Sequence, residues 1–289
     1  MILAKFSVIL QKYNGNSMLW GEKALNFEYI SSKDNKLLKS VRKLISSTRE
    51  RKQQQRFVLE GLRLCADAAQ NGYTIEAVIV SEELEGSDRL DVIVAAAKQR
   101  IKVPNSLFTT LCDTVSPQGV LCIVKTPERK SVEMIEEGKY IVLENTADPA
   151  NLGTIARTAE AFGVSGLIVS ANGCDPFSPK SQRAGMGALL RIPVVVCEDL
   201  LSDLDSLKKK GFKIFASVVS GADSLVTEAD FSGDCVVLIG NEANGLTEAA
   251  IGLSDIKVTI PMAGRAESLN AAAAASILMW EMTRNGARL

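Results

Sequence analysis

Six short apolar runs, separated by segments with helical spacing, constrain the fold of the C-terminal half of the chain more than any other feature. Strands that are buried on both faces of a parallel sheet have this continuous apolar character, and helices connect them. The pattern predicts an α/β fold with an open, mostly parallel sheet. The runs are Tyr140–Leu143, Gly166–Val169, Pro193–Val196, Lys213–Ser217, Cys235–Ile239 and Ile256–Ile260.

The last of these runs continues into a polar loop, Ala263–Asn270, and then into an Ala-rich helix, Ala271–Met282. Open parallel sheets bind ligands at the carboxyl ends of their strands, and a helix N-terminus offers free N–H groups there. The helix has almost no polar face, so we expect it to be buried. Taken alone, this segment fits a ligand-binding loop and an ordinary core crossover equally well.

The N-terminal part of the chain predicts a second, smaller α/β unit, because strand and helix patterns alternate from Phe57 to Val124. The charged, Pro-containing segment that follows it predicts an interdomain linker. We therefore expect four parts: an extension of unknown role (1–28), a basic arm with the smaller domain (29–126), the linker (127–138) and the larger domain (139–289).

The chain of 289 residues has no histidine, which excludes Ser-His-Asp and Cys-His catalysis and metal sites built on histidine. Its six cysteines are scattered without a CxxC pair, so the sequence predicts neither a zinc site nor a disulfide framework, and it favours a reducing cytosol. No apolar run reaches the roughly 18 residues that span a bilayer, and no signal peptide is predicted. We expect no metal and no membrane partner.

Charge is distributed unevenly along the chain. Between Lys33 and Arg63 there are ten Lys or Arg and three acidic residues, a net charge of +7, which leaves 23 basic and 31 acidic residues, or −8, elsewhere. A basic arm on an acidic body is typical of a segment that binds polyanions. A solvated amphipathic helix explains the same count, since Leu37, Leu38, Val41, Leu44 and Ile45 recur at helical spacing and Ser or Asp near 32–34 can cap it.

Three polar, Gly-rich stretches follow predicted strands of the larger domain. They are ENTADPANLGTIARTAEAFG (Glu144–Gly163), LIGNEANGL (Leu238–Leu246) and IPMAGRAESLN (Ile260–Asn270). None is a GxGxxG or P-loop motif. The first two also have a plain explanation: an exposed helix arginine for Arg157, and a strand-to-helix turn with a capping acid for Glu242.

Together and in this order, the three stretches resemble the motifs of the SpoU (TrmH-type) branch of the SPOUT RNA methyltransferases. Ser181–Pro193 also looks like the family's connecting segment, with Gly185 where the family usually has Ser. The FVLEGLRL stretch resembles the L30e-like substrate-binding domain often found before this catalytic domain. The matching residues are Asn151, Gly153, Arg157, Gly240, Glu242, Gly245, Leu246, Pro261, Met262, Gly264, Ser268, Leu269 and Asn270.

The resemblance implies an α/β SPOUT domain with a deep trefoil knot, preceded by the smaller L30e-like α/β domain. It implies S-adenosylmethionine as the cofactor, held largely by backbone groups in a mostly apolar pocket. The small residues of the Ala-rich helix suit a segment that packs through a tight loop. The cofactor-binding positions carried over from the family are Leu238, Gly240, Ile260, Met262, Ser268 and Leu269.

The implied reaction is methyl transfer to a ribose 2′-OH of RNA. A motif-one arginine, here Arg157, has been proposed as the family's base, although a guanidinium is normally protonated. Alternatively, Arg157 clamps a phosphate and stabilises the alkoxide, and Glu242 is the base or an orienting acceptor. Asn151, Ser268 and Asn270 are expected to position groups by hydrogen bonding.

The family works as a homodimer with a site composed at the subunit interface, so we expect a cytoplasmic homodimer. Ribosomal RNA, 23S in particular, is favoured as the substrate by analogy with the appended first domain. Transfer RNA, a catalytically inactive RNA-binding protein and a nucleotide enzyme on a Rossmann sheet remain alternatives. The residues expected to contact RNA are Lys36, Lys39, Arg42, Lys43 and Arg63.

Overall fold

Two separate β-sheets organise the part of the chain that the structure, a computed structural model, describes: residues 26–128 and 130–284. Residues 1–25, most of the predicted extension, lie outside the described residues. The first sheet takes its strands from the N-terminal unit and the second from the C-terminal unit.

The N-terminal sheet is mixed. Its order is β1-β4-β3-β5-β2; β5 runs antiparallel to both of its neighbours, and the other two pairings are parallel. Its strands are β1 (Glu28–Tyr29), β2 (Arg56–Glu60), β3 (Ile75–Ser81), β4 (Gln99–Val103) and β5 (Val120–Lys125). Its helices are α1 (Lys36–Ser46), α2 (Thr48–Gln54), α3 (Leu62–Gln70), α4 (Asp88–Ala96) and α5 (Asn105–Thr109).

The basic arm is two helices, and the expected cap near residues 32–34 is wrong. Asn35 caps α1, because its Oδ1 accepts the backbone N–H of Leu37 at 2.8 Å. Ser47 ends this helix in an extended conformation and its side chain caps α2. The predicted apolar stripe is confirmed, with Leu38, Val41 and Leu44 fully buried.

The C-terminal sheet has the order β10-β12-β9-β11-β6-β7-β8, and every pairing in it is parallel. The six predicted strands are confirmed to within one residue at each end. The two-residue β10 was missed, because a strand that short has no readable pattern. The strands are β6 (Lys139–Leu143), β7 (Gly166–Ser170), β8 (Val194–Cys197), β9 (Lys213–Ser217), β10 (Ser224–Leu225), β11 (Cys235–Ile239) and β12 (Ile256–Thr259).

Helices cover both faces of this sheet. One face packs on α6 and α11, and the other packs on α9 and α10, with alternate strand residues pointing to each side. The helices are α6 (Pro149–Phe162), α7 (Pro179–Gly185), α8 (Ala188–Arg191), α9 (Leu200–Lys209), α10 (Glu248–Leu253) and α11 (Ala271–Thr283). The knot implied by the family resemblance stays a prediction.

The expectation that the Ala-rich helix α11 is buried is wrong for one of its faces. Ala275, Leu278 and Met279 are fully buried, whereas Ile277 is 37% exposed and Trp280 is 49% exposed. Small residues on the inner face let the helix approach the sheet, and the outer face remains apolar. None of the helices described between residues 26 and 284 is long and apolar enough to cross a membrane.

The segment predicted as a linker is partly docked on the C-terminal unit. Val132 and Ile135 are buried with the α9 residues of that core. The ammonium of Lys210 donates to the carbonyl oxygens of Val132, Glu133 and Ile135 at 3.2, 2.6 and 3.0 Å. This end of the segment therefore extends the second core.

The two units are joined by a buried ion pair and an aromatic contact. Nε of Arg51 in α2 lies 2.7 Å from Oδ2 of Asp175, and their side chains are 6% and 10% exposed. The rings of Phe57 and Phe177 are 5.0 Å apart. Asp175 and Phe177 belong to the loop after β7, so the N-terminal unit rests beside the carboxyl edge of the large sheet.

Candidate active site

Three polar loops leave the carboxyl edge of the C-terminal sheet. The first follows β6, the second follows β11, which pairs directly with β6, and the third follows β12, which is separated from β11 by β9. This edge is the place at which parallel sheets bind ligands. The first two loops and the end of the third meet through side-chain hydrogen bonds.

Glu242 connects the second loop to the first. Its carboxylate accepts the backbone N–H of Ala147 at 3.0 Å and that of Asp148 at 3.4 Å. It also accepts Nδ2 of Asn151 at 2.8 Å. Since Asp148 caps α6 through the N–H of Ala150, the amide of Asn151 is free to cross to the neighbouring loop.

Asn270 connects the third loop to the first. Its Nδ2 donates to Oδ1 of Asn151 at 3.1 Å, while its own Oδ1 caps α11 by accepting the N–H groups of Ala272 and Ala273. Asn151 therefore donates to one loop and accepts from the other. The structure brings together three of the predicted catalytic residues: Asn151, Glu242 and Asn270.

Electrostatics make Glu242 a stable carboxylate. Partial burial raises its pKa, but the hydrogen bonds from Ala147, Asn151 and Asp148 outweigh burial, so its pKa lies below the ordinary value of 4.5. An acid of this kind is a weak base. Burial raises the pKa of the nearby Cys174 thiol to about 12, which excludes that thiol as a base at neutral pH.

Gly240 makes the second loop possible. Asn241 and Gly245 exchange two backbone hydrogen bonds of 3.0 and 2.9 Å, which folds the loop back on its own start. A Cβ added to Gly240 would lie 2.1 Å from the carbonyl carbon of Gly245. Only glycine fits there, so the turn leaves Glu242 at its tip.

Glu144 is a structural residue of the site that sequence reasoning missed. It is 5% exposed and accepts both the N–H and the hydroxyl of Thr247 at 2.8 Å. Asn241 similarly donates to the carbonyl oxygen of Asn145 at 2.7 Å. The available signal was the position of Glu144, an acid placed directly after a buried strand.

The third loop offers free backbone groups. Within the described part of the chain, no hydrogen bond engages the backbone of residues 261–269. Ser268 is exposed and Leu269 is 39% exposed, while Ile260 and Met262 are half-buried. Unpaired N–H and C=O groups beside apolar side chains suit a ligand that is held by the backbone.

The remaining predicted cofactor and catalytic positions fall outside this cluster. The side chain of Leu238 is fully buried inside β11. Arg157 is exposed and lies six residues after Asn151 on α6, which is about 9 Å further along the helix and on another face. Its Nη1 lies 3.1 Å from the sulfur of Met186. One copy of the chain does not bring Arg157 to Glu242.

The side chains predicted to contact RNA differ in whether they already pair with other groups of the chain. Lys36 and Arg63 are exposed. Lys39 pairs with Asp34 at 2.9 Å, and Lys43 lies 3.8 Å from Glu50. Arg42 donates to the carbonyl oxygen of Lys33 and the hydroxyl of Thr110, both at 3.1 Å.

Among residues 26–128 and 130–284, no group of three or more acidic or Cys side chains could hold a metal ion.

Comparisons with protein families match both units. Residues 138–280 match the SpoU rRNA methylase family, and residues 35–122 match the MRM3-like substrate-binding domain. An uncharacterized tRNA/rRNA methyltransferase of Synechocystis is 32% identical over 257 residues, covering 88% of this chain and 93% of the relative. The 23S rRNA (guanosine(2553)-2′-O)-methyltransferase RlmP of Bacillus subtilis is 28% identical, covering 88% of this chain and 98% of RlmP.

Solved structures agree with these families. An AdoMet-bound rRNA methyltransferase of Sinorhizobium meliloti superposes with a TM-score of 0.81 at 30% identity, covering 91% of this chain and 99% of that one. The SpoU methyltransferase AviRb of Streptomyces viridochromogenes, in complex with AdoMet, has a TM-score of 0.78 at 27% identity, covering 87% and 98%. The similarity to these solved structures therefore extends over both units of the chain.

Proposed function

The chain belongs to the SpoU rRNA methylase family, and we propose that it transfers a methyl group from S-adenosylmethionine to a ribose 2′-OH of ribosomal RNA. The observation that carries this proposal is the meeting of Asn151, Glu242 and Asn270, one from each motif, at the carboxyl edge of the sheet. S-adenosylmethionine supplies an activated methyl group on a sulfonium.

We propose that the cofactor binds in a groove between the Gly240 turn and the loop of residues 261–269. The free backbone groups of that loop would bind the polar atoms of the adenosyl group, and Ile260, Met262 and Leu269 would supply apolar contacts. Ser268 offers a hydroxyl. Leu238 would shape the floor of the groove from inside the sheet.

We propose that the main task of the protein side chains is to align the methyl donor with the ribose hydroxyl. Orientation of two reactants accounts for roughly 7–11 kcal/mol in well-aligned reactions. Glu242 acts as an orienting acceptor, because its carboxylate is already engaged by three donors and its pKa is low. The guanidinium of Arg157 would clamp a phosphate and stabilise the developing alkoxide.

We propose a homodimer, and the position of Arg157 supports it. The helix that carries it lies beside α11, since the rings of Phe162 and Trp280 are 5.7 Å apart, and the outer face of α11 is apolar. A second copy that covers Ile277 and Trp280 would bring its own site close to Arg157. We propose that each site combines the Asn151 cluster of one subunit with Arg157 of its partner subunit.

The basic arm and α3 would provide phosphate contacts, with Lys36 and Arg63 as the freest cations of the predicted set. The N-terminal unit would recognise folded RNA, and we expect the enzyme to act in the cytoplasm. Affinity that falls steeply with salt would accompany this mode of binding. The test replaces four cations with alanine: Lys36, Lys39, Arg42 and Lys43. If RNA affinity is unchanged in this variant, the arm is only a solvated helix.

The test is methyl transfer from labelled S-adenosylmethionine to ribosomal RNA and transfer RNA, both purified from cells that lack this gene. Label in ribosomal RNA at one alkali-resistant phosphodiester is expected. If only transfer RNA is labelled, transfer RNA is the substrate. If neither free RNA nor RNA in assembled ribosomes is labelled, the proposed activity is contradicted.

Arg157→Ala is expected to abolish transfer while S-adenosylmethionine still binds, as measured by calorimetry. Arg89→Ala, which removes another exposed helix arginine, is the control and should retain activity. Normal turnover of the Arg157 variant would contradict its assignment.

A further inference from the structure

Arg191, at the end of α8, bridges the N-terminal unit to the helix that carries Arg157. Its Nη1 lies 2.6 Å from Oδ2 of Asp67 in α3. Its Nη2 donates to Oε2 of Glu160 at 2.8 Å, and its Nε donates to the other oxygen of that carboxylate. Glu160 follows Arg157 by three residues on α6, so the two side chains are neighbours on one face.

The Met186–Gly187 corner connects the same arginine to Arg157 by a second route. The sulfur of Met186 lies 3.1 Å from Nη1 of Arg157, and the carbonyl oxygen of Met186 lies 3.5 Å from Nη2 of Arg191. Met186 has a φ of 48°, a left-handed conformation that is uncommon for this residue type. The corner therefore contacts both Arg157 and Arg191.

The fit between the corner and α3 is close. A Cβ added to Gly187 would lie 2.2 Å from Oδ2 of Asp67. The hydrogen bond from Arg191 lowers the pKa of Glu160, partly offset by burial, and the charge of Arg63 lowers it further. The Glu160 carboxylate of the bridge therefore favours the ionised form.

We infer that Arg191 is a positioning residue that couples the docking of the N-terminal unit to the orientation of Arg157. This inference rests on the proposed function, because it assigns Arg157 to the reaction. A guanidinium has a rigid planar fork, so it holds Asp67 and Glu160 in a fixed relation that a lysine cannot reproduce. RNA bound by the N-terminal unit would thereby bias the arginine that acts on the ribose.

The test compares two matched variants, each of which removes one interdomain charge. Asp67→Asn breaks the bridge to Arg191. Asp113→Asn breaks the 2.6 Å pair with Arg183, which has no hydrogen bond to Arg157. Asp67→Asn should lower kcat by roughly three- to thirtyfold, the range typical of residues that couple two sites. Its Kd for S-adenosylmethionine should not change, and Asp113→Asn should leave kcat within about twofold of the unmodified protein.

Arg191→Lys keeps the charge and loses the fork, so it should lower kcat as Asp67→Asn does. Equal losses of kcat in the Asp67 and Asp113 variants, or wild-type kcat in Arg191→Lys, would overturn the inference. If Arg191→Lys does not fold, Asp67→Asn still decides the question, because it leaves the contacts between Arg191 and Glu160 in place.

Amide hydrogen exchange separates failure of this inference from failure of the proposed function. The peptide that spans 154–163 should exchange faster in Asp67→Asn than in Asp113→Asn. A protein that methylates no RNA but shows this difference would contradict the proposed function and keep the coupling. Identical exchange in the two variants would overturn the coupling whatever the activity.

Discussion

Asn151 and Asn270 are joined by a hydrogen bond of 3.1 Å although 119 residues separate them. Asn270 performs two tasks with two different atoms: its Oδ1 caps α11 and its Nδ2 reaches Asn151. An aspartate at this position retains the capping acceptor and loses the donor. The two tasks can therefore be separated by substitution.

We expect Asn270→Asp to fold with a stability within about 0.5 kcal/mol of the unmodified protein and to lose most methyl transfer. Asn270→Ala should lose transfer and also about 1 kcal/mol of stability, because the cap is removed. Urea unfolding and single-turnover transfer measure the two effects. Full activity in Asn270→Asp would show that the link to Asn151 is dispensable.

Glu242→Gln tests whether an ionised carboxylate holds the motif loops together. Because the folded-state pKa of Glu242 is lowered, its stabilising contribution is fully present above pH 4.5 and is lost as pH falls through the lower folded-state value. Gln has one acceptor oxygen, and its amide would face a donor. The variant should be less stable at neutral pH, and the difference from the unmodified protein should shrink in acid.

Unfolding by urea at a series of pH values between about 3 and 7 measures that difference. A gap between the two proteins that stays constant throughout this range would contradict the role of the charge.

Gly240→Ala should disrupt the second loop, because the added Cβ would overlap the Gly245 carbonyl carbon at 2.1 Å. We expect loss of S-adenosylmethionine binding by calorimetry. Gly252→Ala is the matched control: this glycine lies in α10, outside the three motif loops, and a Cβ there meets no atom within 4 Å, so binding should not change. Equal affinities in the two variants would contradict the steric explanation.

Arg51→Ala should destabilise the protein by about 3–5 kcal/mol, since it leaves the nearly buried carboxylate of Asp175 without its partner. Lys43→Ala breaks an exposed, long pair with Glu50 and should change stability by less than about 1 kcal/mol. Urea unfolding followed by tryptophan fluorescence and by circular dichroism measures both. A small effect at Arg51 would mean that water reaches Asp175 readily.

Trp280→Glu should convert a dimer into monomers, because it places a charge on the exposed apolar face of α11. Val92→Glu changes another exposed apolar side chain, 38% exposed on α4, and should leave the dimer intact. Sedimentation at micromolar concentration distinguishes the two states. An unmodified protein that is already monomeric there would remove the basis for a composite site.

The strands were predictable from the sequence because buried parallel strands are apolar on both faces, so Cys235–Ile239 reads as one continuous run. The capping residue of α1 was not predictable. Ser31, Ser32, Asp34 and Asn35 can all cap a helix, and the burial of Leu38 and Val41 decides the register. Such a choice depends on the folded core, which a local pattern does not contain.

The motif loops were predicted from the sequence, but the hydrogen bonds between them were not. The contact between Asn151 and Glu242 joins residues 91 positions apart, and the pairing of Glu144 with Thr247 spans 103. The separation of Arg157 from Asn151 follows from helix geometry alone, since six residues rotate the side chain by about 240°. The exposed face of α11 escaped prediction because its outer residues are as apolar as its inner ones.

The long separations within the site also determine when it can exist during synthesis. The strands of the N-terminal sheet all lie between Glu28 and Lys125, so this unit can fold early, as ribosomes add about 5–20 residues per second. The proposed site needs Asn151, Glu242 and Asn270 together. A nascent chain would therefore carry the surface that we propose to bind RNA for several seconds before it carries the proposed catalytic site.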